Sequence, residues 1–140
     1  MDAGISAGLS DDVRGFLEVP RFAVVATIGE DGAPHQAVVW YLLRDDLIVI
    51  NSATGRRWPA NLRRDPRVEI TVEDGYRYVQ LGGTVEVDDD QGRAQADIAA
   101  MAHRYHADDP AEAEDLIVNR FRLQHRVSFR LRPEAVLRDL

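Results

Sequence analysis

Cysteine is absent from the 140 residues, and so is lysine, because all 17 basic residues are arginine. The first absence excludes a disulfide framework, thiolate metal sites and a thiol nucleophile. The second excludes Schiff-base chemistry on a lysine. Redox work by such a chain therefore requires a cofactor. Long apolar runs are missing as well: none approaches the ~20 residues of a membrane span. The N-terminal Met1-Asp2-Ala3-Gly4-Ile5-Ser6 is acidic and has no apolar core, so no signal peptide, no membrane association and a cytoplasmic location are expected. Positive charge is in deficit, and a net charge of −7 argues against a general nucleic-acid binder. Neither the Gly-x-x-x-x-Gly-Lys-Ser/Thr spacing nor Gly-x-Gly-x-x-Gly occurs.

What is present reads as one globular domain over 1–140, long enough to bury roughly 68% of its unfolded surface. Apolar spacing after Ser10-Asp11-Asp12 predicts a short helix near Ser10 to Val19, ended by Pro20. Strands are expected at Arg21–Ile28, Pro34–Leu43, Leu47–Asn51, Arg67–Glu73, Tyr76–Val87 and Arg126–Leu131, with hairpin signals at Glu30-Asp31-Gly32 and Asp74-Gly75. Gly82-Gly83 inside the fifth strand predicts a bulge or bend. Asp88-Asp89-Asp90 opens a helix to about His106, and Asp109-Pro110 opens another containing Leu116, Ile117, Phe121 and Leu123. Tight connections between the early strands leave no room for crossover helices, which excludes a Rossmann fold. The expected class is mainly β (α+β): a six-stranded, closed or nearly closed antiparallel β-barrel with peripheral helices.

One stretch organises the rest, running from Asn51 through Ser52, Thr54, Gly55, Arg56, Arg57, Trp58, Pro59 and Asn61 to Arg67. Ser52, Thr54 and Gly55 are residue types that stop a strand and cap a helix. Pro59 fits only in a first helical turn, and Asp65-Pro66 stops the helix. Free amide N–H groups and two adjacent guanidiniums at that start predict an anion cradle, with a phosphate as the natural guest. The competing reading is a solvated, arginine-rich helix face.

Phe22–Thr27, Asp31–His35, Val39-Trp40-Tyr41, Thr54–Val68 and Tyr78–Val87, taken in this order, resemble the pyridoxamine-phosphate-oxidase-like family of FMN-binding split β-barrels, especially its deazaflavin (coenzyme F420) branch. The resemblance spans nearly the whole chain. It implies a homodimer that binds two flavin-type cofactors in clefts between subunits. It further implies a cofactor ring lying along Pro34, His35, Gln36, Ala37 and Val38, with the phosphate held by Ser52, Thr54, Arg56 and Arg57 beside Gly55, Trp58 and Asn61. Arg77, Tyr78 and Gln80 would approach from the second subunit. Two departures stand out. Related deazaflavin enzymes often carry a lysine where this chain has Trp58. The chain also ends Arg132–Leu140, without the arginine- and histidine-containing substrate motif of true pyridoxamine-phosphate oxidases, so vitamin B6 synthesis is rejected.

The expected function is F420-dependent hydride transfer to an unsaturated or conjugated small molecule. His35 and Tyr105 are the candidate proton donors. The alternatives are an FMN-dependent oxidoreductase and a cofactor carrier or sensor without turnover. A groove of Arg63, Arg64 and Arg67 would track the acidic tail of a deazaflavin. His103 and His106 share a helix spacing, but without thiols no metal site is expected. Trp40, Tyr41, Tyr78 and Tyr105 either cover the ring or pack the core, and strand alternation lets only one of Trp40 and Tyr41 face a given side.

Overall fold

In the computed structural model, residues 8–140 are described; the N-terminal stretch read above for a signal peptide lies outside them. The continuous apolar run Leu47-Ile48-Val49-Ile50 becomes the first part of a strand, Leu47–Ala53, that is buried on both faces. Ile48 and Ile50 join the main core, whereas Val49 joins a second cluster with Ile98, Met101, Ala113, Ile117 and Phe121 on the helices. Burial on two sides is what an unbroken apolar run, rather than an alternating one, encodes.

Among the described residues eight strands form: β1 (Ala23–Ile28), β2 (Pro34–Val39), β3 (Leu42–Arg44), β4 (Leu47–Ala53), β5 (Arg67–Asp74), β6 (Arg77–Asp88), β7 (Arg126–Leu131) and β8 (Ala135–Asp139). The order is β2-β1-β5-β6-β7-β4-β3, all antiparallel, with β8 paired to β6. The helices are α1 (Asp11–Glu18), α2 (Arg57–Arg64), α3 (Gln91–Tyr105) and α4 (Pro110–Asn119). This is the expected α+β split barrel, with two strands more than the six predicted. β3 separates from β2 because Trp40 and Tyr41 carry the chain from one sheet to the other. β8 follows Pro133 and is exposed along its whole length.

β6 is the strand that splits the barrel. Its first half pairs with β5 and β8, and its last residues, Val85 to Asp88, pair with β7. The glycine pair sits at the changeover. A Cβ on Gly83 would lie 3.0 Å from Leu131 Cδ1 and 3.1 Å from Glu134 Oε1, so a side chain there would push against the returning chain. The Gly82 carbonyl accepts the Glu134 N–H at 2.8 Å, which starts β8 on its path.

The helix ends follow local chemistry. Asp90 and Asp109 cap α3 and α4 through the N–H groups of Arg93 and Glu112. The expected cap of α2 is corrected: β4 runs on through Ala53, and the N-cap is Arg56, with no side-chain hydrogen bond. Gly55, at φ +96°, makes the intervening reversal that a side chain would strain. Pro59 lies in the first turn and Asp65-Pro66 follows the last, as predicted.

Candidate functional site

β2 is an edge strand, since it pairs with β1 and terminates the strand order. Its outer row of N–H and C=O groups is therefore unpaired among the described residues. A concavity opens at each end of it. At the Pro34–His35 end lies a cleft of about 580 Å³, lined also by Glu30, Asp31, Arg57, Asn61 and Arg64. At the Val38–Trp40 end lies a cavity of about 240 Å³, with Asn51, Ser52, Arg56, Trp58, Met101, Arg120, Phe121 and Arg126 in its wall.

The cavity is where the structure departs most from the sequence reading. Arg126 opens β7, and α3 covers that face of the sheet, so this residue is only 6% exposed. Its Nε donates to Asn51 Oδ1 at 2.9 Å and its Nη1 to Gln124 Oε1 at 2.5 Å, while the group lies 4.9 Å from the Phe121 ring. Among the described residues no carboxylate reaches it. Burial, and then the charge of Arg56, pull its pKa down to about 10, which still leaves it protonated at neutral pH. The nearest buried carboxylate, Asp97, is engaged elsewhere, with Arg44, with Arg130 Nη2 at 2.9 Å and with Ser128 Oγ at 2.7 Å. Asn51 Nδ2 donates to Ser128 Oγ at 2.9 Å and to the Ala94 carbonyl at 3.0 Å, so a polar chain links Asp97 to Arg126 without neutralising it.

The predicted residues divide between the two concavities. Ser52, Arg56, Trp58 and Val38 line the cavity. Pro34, His35, Arg57 and Asn61 line the cleft. The adjacent guanidiniums thus do not act as a pair. Asn61 is buried, donating to Thr27 Oγ1 at 3.0 Å and accepting from Arg64 Nη2 at 2.7 Å. Thr54, Gly55, Gln36 and Ala37 line neither concavity, and neither do Arg77, Tyr78 and Gln80 on β6.

Two expected features take another form. Tyr105 is tied to the backbone: its hydroxyl donates to the Arg21 carbonyl at 2.6 Å and accepts the Tyr41 N–H at 3.2 Å. Its ring stacks on Trp40 at 5.0 Å, outside both concavities. Burial raises its pKa, so the hydroxyl keeps its proton. The supposed tail groove of Arg63, Arg64 and Arg67 is also broken up. Arg63 is paired with Asp89 and Arg67 with Asp65, which leaves Arg64 alone on a cleft. Trp40 and Tyr41 do face opposite ways, Trp40 to the cavity and Tyr41 to the core. His103 is exposed and His106 lies edge-on to Trp40; no metal-binding set of three His, Asp or Glu occurs among the described residues. None of the described helices is long and apolar enough to cross a membrane.

Arg126, Arg120 and Gln124 were not anticipated. The signal that could have found Arg126 is the alternation Arg126-Ser128-Arg130 along β7, a polar face on a strand whose other face is Val127-Phe129-Leu131.

The chain matches the model of the pyridoxamine 5'-phosphate oxidase family over residues 9–138. Among solved structures it is similar to the conserved hypothetical protein Rv2991 from Mycobacterium tuberculosis, at 26% identity and a TM-score of 0.77, covering 97% of this chain and 88% of that one. It is similar to an F420 reductase at 24% identity and a TM-score of 0.72, covering 92% and 98%. It also shares its fold with HutZ, a heme storage protein from Vibrio cholerae, at 19% identity and a TM-score of 0.71, covering 94% of each chain. With a match along nearly its whole length and the split barrel to go with it, the chain belongs to the pyridoxamine 5'-phosphate oxidase family.

Proposed function

We propose that this chain is an oxidoreductase that transfers a hydride from reduced coenzyme F420 to an unsaturated, conjugated small molecule, and that two copies pair to complete the site. The observation that carries the reading is the unpaired edge of β2 with a guanidinium-bearing concavity at each end. An edge strand offers hydrogen-bond donors and acceptors in a row, which suits the polar rim of a planar heterocycle.

The residues present fit such a cofactor. Arg57 and Arg64 supply charge for a phosphate in the larger cleft, with Asn61 behind them and His35 on the β2 side. Glu30 and Asp31 line the same cleft and offset part of that charge. A volume of about 580 Å³ leaves room for a tail that continues beyond the phosphate, whereas the 240 Å³ cavity at the other end suits the acceptor. Trp40, Trp58 and Phe121 give that cavity walls against which a conjugated molecule packs. When bound, the reduced cofactor supplies the hydride; the acceptor's double bond takes it together with one proton. His35 lines the cofactor cleft at the opposite end of β2 from the acceptor cavity, so the proton reaches the acceptor from solvent and not from this imidazole.

Pairing of two copies is supported by apolar side chains left in water. Phe22 is 64% exposed and Val38 69%, both on the rim of the cavity. Exposed apolar groups clustered at a site mark a surface that something covers.

The test is a fluorescence titration of purified protein with F420 and, separately, with FMN. Micromolar binding of F420, followed by faster oxidation of its reduced form by conjugated acceptors than in a protein-free control, supports the reading. Preference for FMN moves the chain to the flavin enzymes. Tight F420 binding without turnover makes it a carrier.

A further inference from the structure

The cavity at the Trp40 end of β2 holds three guanidiniums, those of Arg56, Arg120 and Arg126, and no carboxylate lines it. Exposed arginines at a rim are ordinary. Arg126 is not, because it is buried, has no carboxylate partner among the described residues and lies close enough to Arg56 to feel its charge. A buried charge without a counter-ion is costly, and such an arrangement is retained where a ligand supplies the missing charge.

Its surroundings hold the guanidinium still. Nε is fixed by Asn51 and Nη1 by Gln124, and Asn51 is itself held by Ser128 and the Ala94 carbonyl. Nη2 has no partner among the described residues. Both partners of the guanidinium are neutral amides, so the positive charge is oriented but not cancelled. The apolar remainder of the cavity, formed by Trp40, Trp58, Met101 and Phe121, rules out a small hydrated anion as the best fit. The complementary guest has a flat apolar body and one acidic end.

We infer that Arg126, flanked by Arg56 and Arg120, anchors the carboxylate or phosphate of the acceptor, so that the substrate class is conjugated organic acids rather than neutral molecules. This deepens the function proposed above and rests on it for the identification of the guest as an acceptor; the anion site itself stands on the geometry alone. A planar guanidinium with a free Nη2 favours an oxyanion over an isosteric amide, because the neutral group cannot replace the missing charge.

The experiment uses the chain's own reporters, since both of its tryptophans, Trp40 and Trp58, line the cavity. Tryptophan fluorescence of the cofactor-free protein is followed during titration with benzoate and with benzamide, its neutral isostere. Binding of benzoate at least tenfold tighter than benzamide is expected, together with loss of most of that preference in Arg126→Gln. Should Arg126→Gln fold poorly, Arg120→Gln, at an exposed position, is expected to reduce the preference severalfold. Equal binding of the two probes, or an unchanged preference in both variants, overturns the anion site. A second titration adds F420 or FMN to protein saturated with benzoate. Simultaneous occupancy supports an acceptor site, while displacement of benzoate assigns the guanidiniums to the cofactor's own phosphate and overturns the substrate assignment. If neither coenzyme binds, the proposed function falls, whereas the benzoate preference still decides the anion site.

Discussion

Arg56 and Arg57 are neighbours in the chain, yet their side chains line different concavities, Arg56 the Trp40 cavity and Arg57 the His35 cleft. The reason is local. Gly55 reverses the chain at positive φ, Arg56 is the extended N-cap of α2, and Arg57 is its first helical residue. One residue on each side of a helix start points into a different space. Two cations that sequence places together are thus divided between two ends of one strand.

That division predicts unequal effects on cofactor binding. Arg57→Ala is expected to weaken F420 or FMN binding by about 1.5–3 kcal/mol, the range of a charge-assisted hydrogen bond. Arg56→Ala is expected to change it by under about 1 kcal/mol. Fluorescence titration of both variants checks the difference, and the reverse ranking would place the phosphate in the other concavity.

Tyr41 sets an alkaline limit on stability. Its fully buried hydroxyl donates to the Leu17 carbonyl at 2.8 Å, and burial pushes its pKa up to about 12. The folded value is raised above the ordinary value near 10. Its contribution is therefore fully present below pH 10 and is lost as pH climbs toward 12, by on the order of 2–3 kcal/mol. Tyr41→Phe is expected to lose about 0.5–1.5 kcal/mol at neutral pH, because Arg104 still donates to the Leu17 carbonyl, and to show a shallower decline above pH 10. Urea unfolding at pH 8 and at pH 11 reads both changes; parallel declines in the two proteins would refute the assignment.

The parts of this fold that were legible in the sequence are those written in short-range chemistry. Pro59 and the Asp65-Pro66 pair delimit α2, Asp74-Gly75 marks a hairpin, and Gly82-Gly83 marks the changeover of β6 between sheets. β8 was not legible. All five of its residues are exposed, so no alternation is imposed on them, and its pairing with β6 is made by backbone groups that any sequence carries. The cation of the cavity was hidden for a related reason. Arginine in an alternating strand reads as a solvent face, and only the packing of α3 over β7 converts Arg126 and Ser128 into buried groups.

Asp97 is the buried anchor of the polar layer under the cavity. It is 1% exposed and meets Arg44, Arg130 and Ser128. Removing one partner of a buried ionic network leaves the others uncompensated, at a cost of about 3–5 kcal/mol. Asp97→Ala is therefore expected to lower the urea unfolding free energy by that order, with Arg44→Ala costing clearly less because Arg44 is half exposed. Equal costs would mean that the layer holds together without its carboxylate.

The proposed covering of the site by a second copy makes the sharpest demand on the surface. Phe22 and Val38 stand on the rim of the cavity with most of their area in water, and Val38 belongs to the unpaired edge strand. A stable pair of proteins buries about 800 Å² on each partner, with apolar side chains at its centre. Replacing both residues by Asp places like charges face to face in a symmetric interface, where each would need to be desolvated. Substitutions at exposed positions change monomer stability by only about 0.5 kcal/mol. Phe22→Asp combined with Val38→Asp is thus expected to convert a dimer into monomers in sedimentation velocity, to abolish cofactor binding, and to leave the secondary-structure signal intact. A wild-type protein that sediments as a monomer, or a double variant that still binds cofactor with unchanged affinity, would show that one chain alone forms the site.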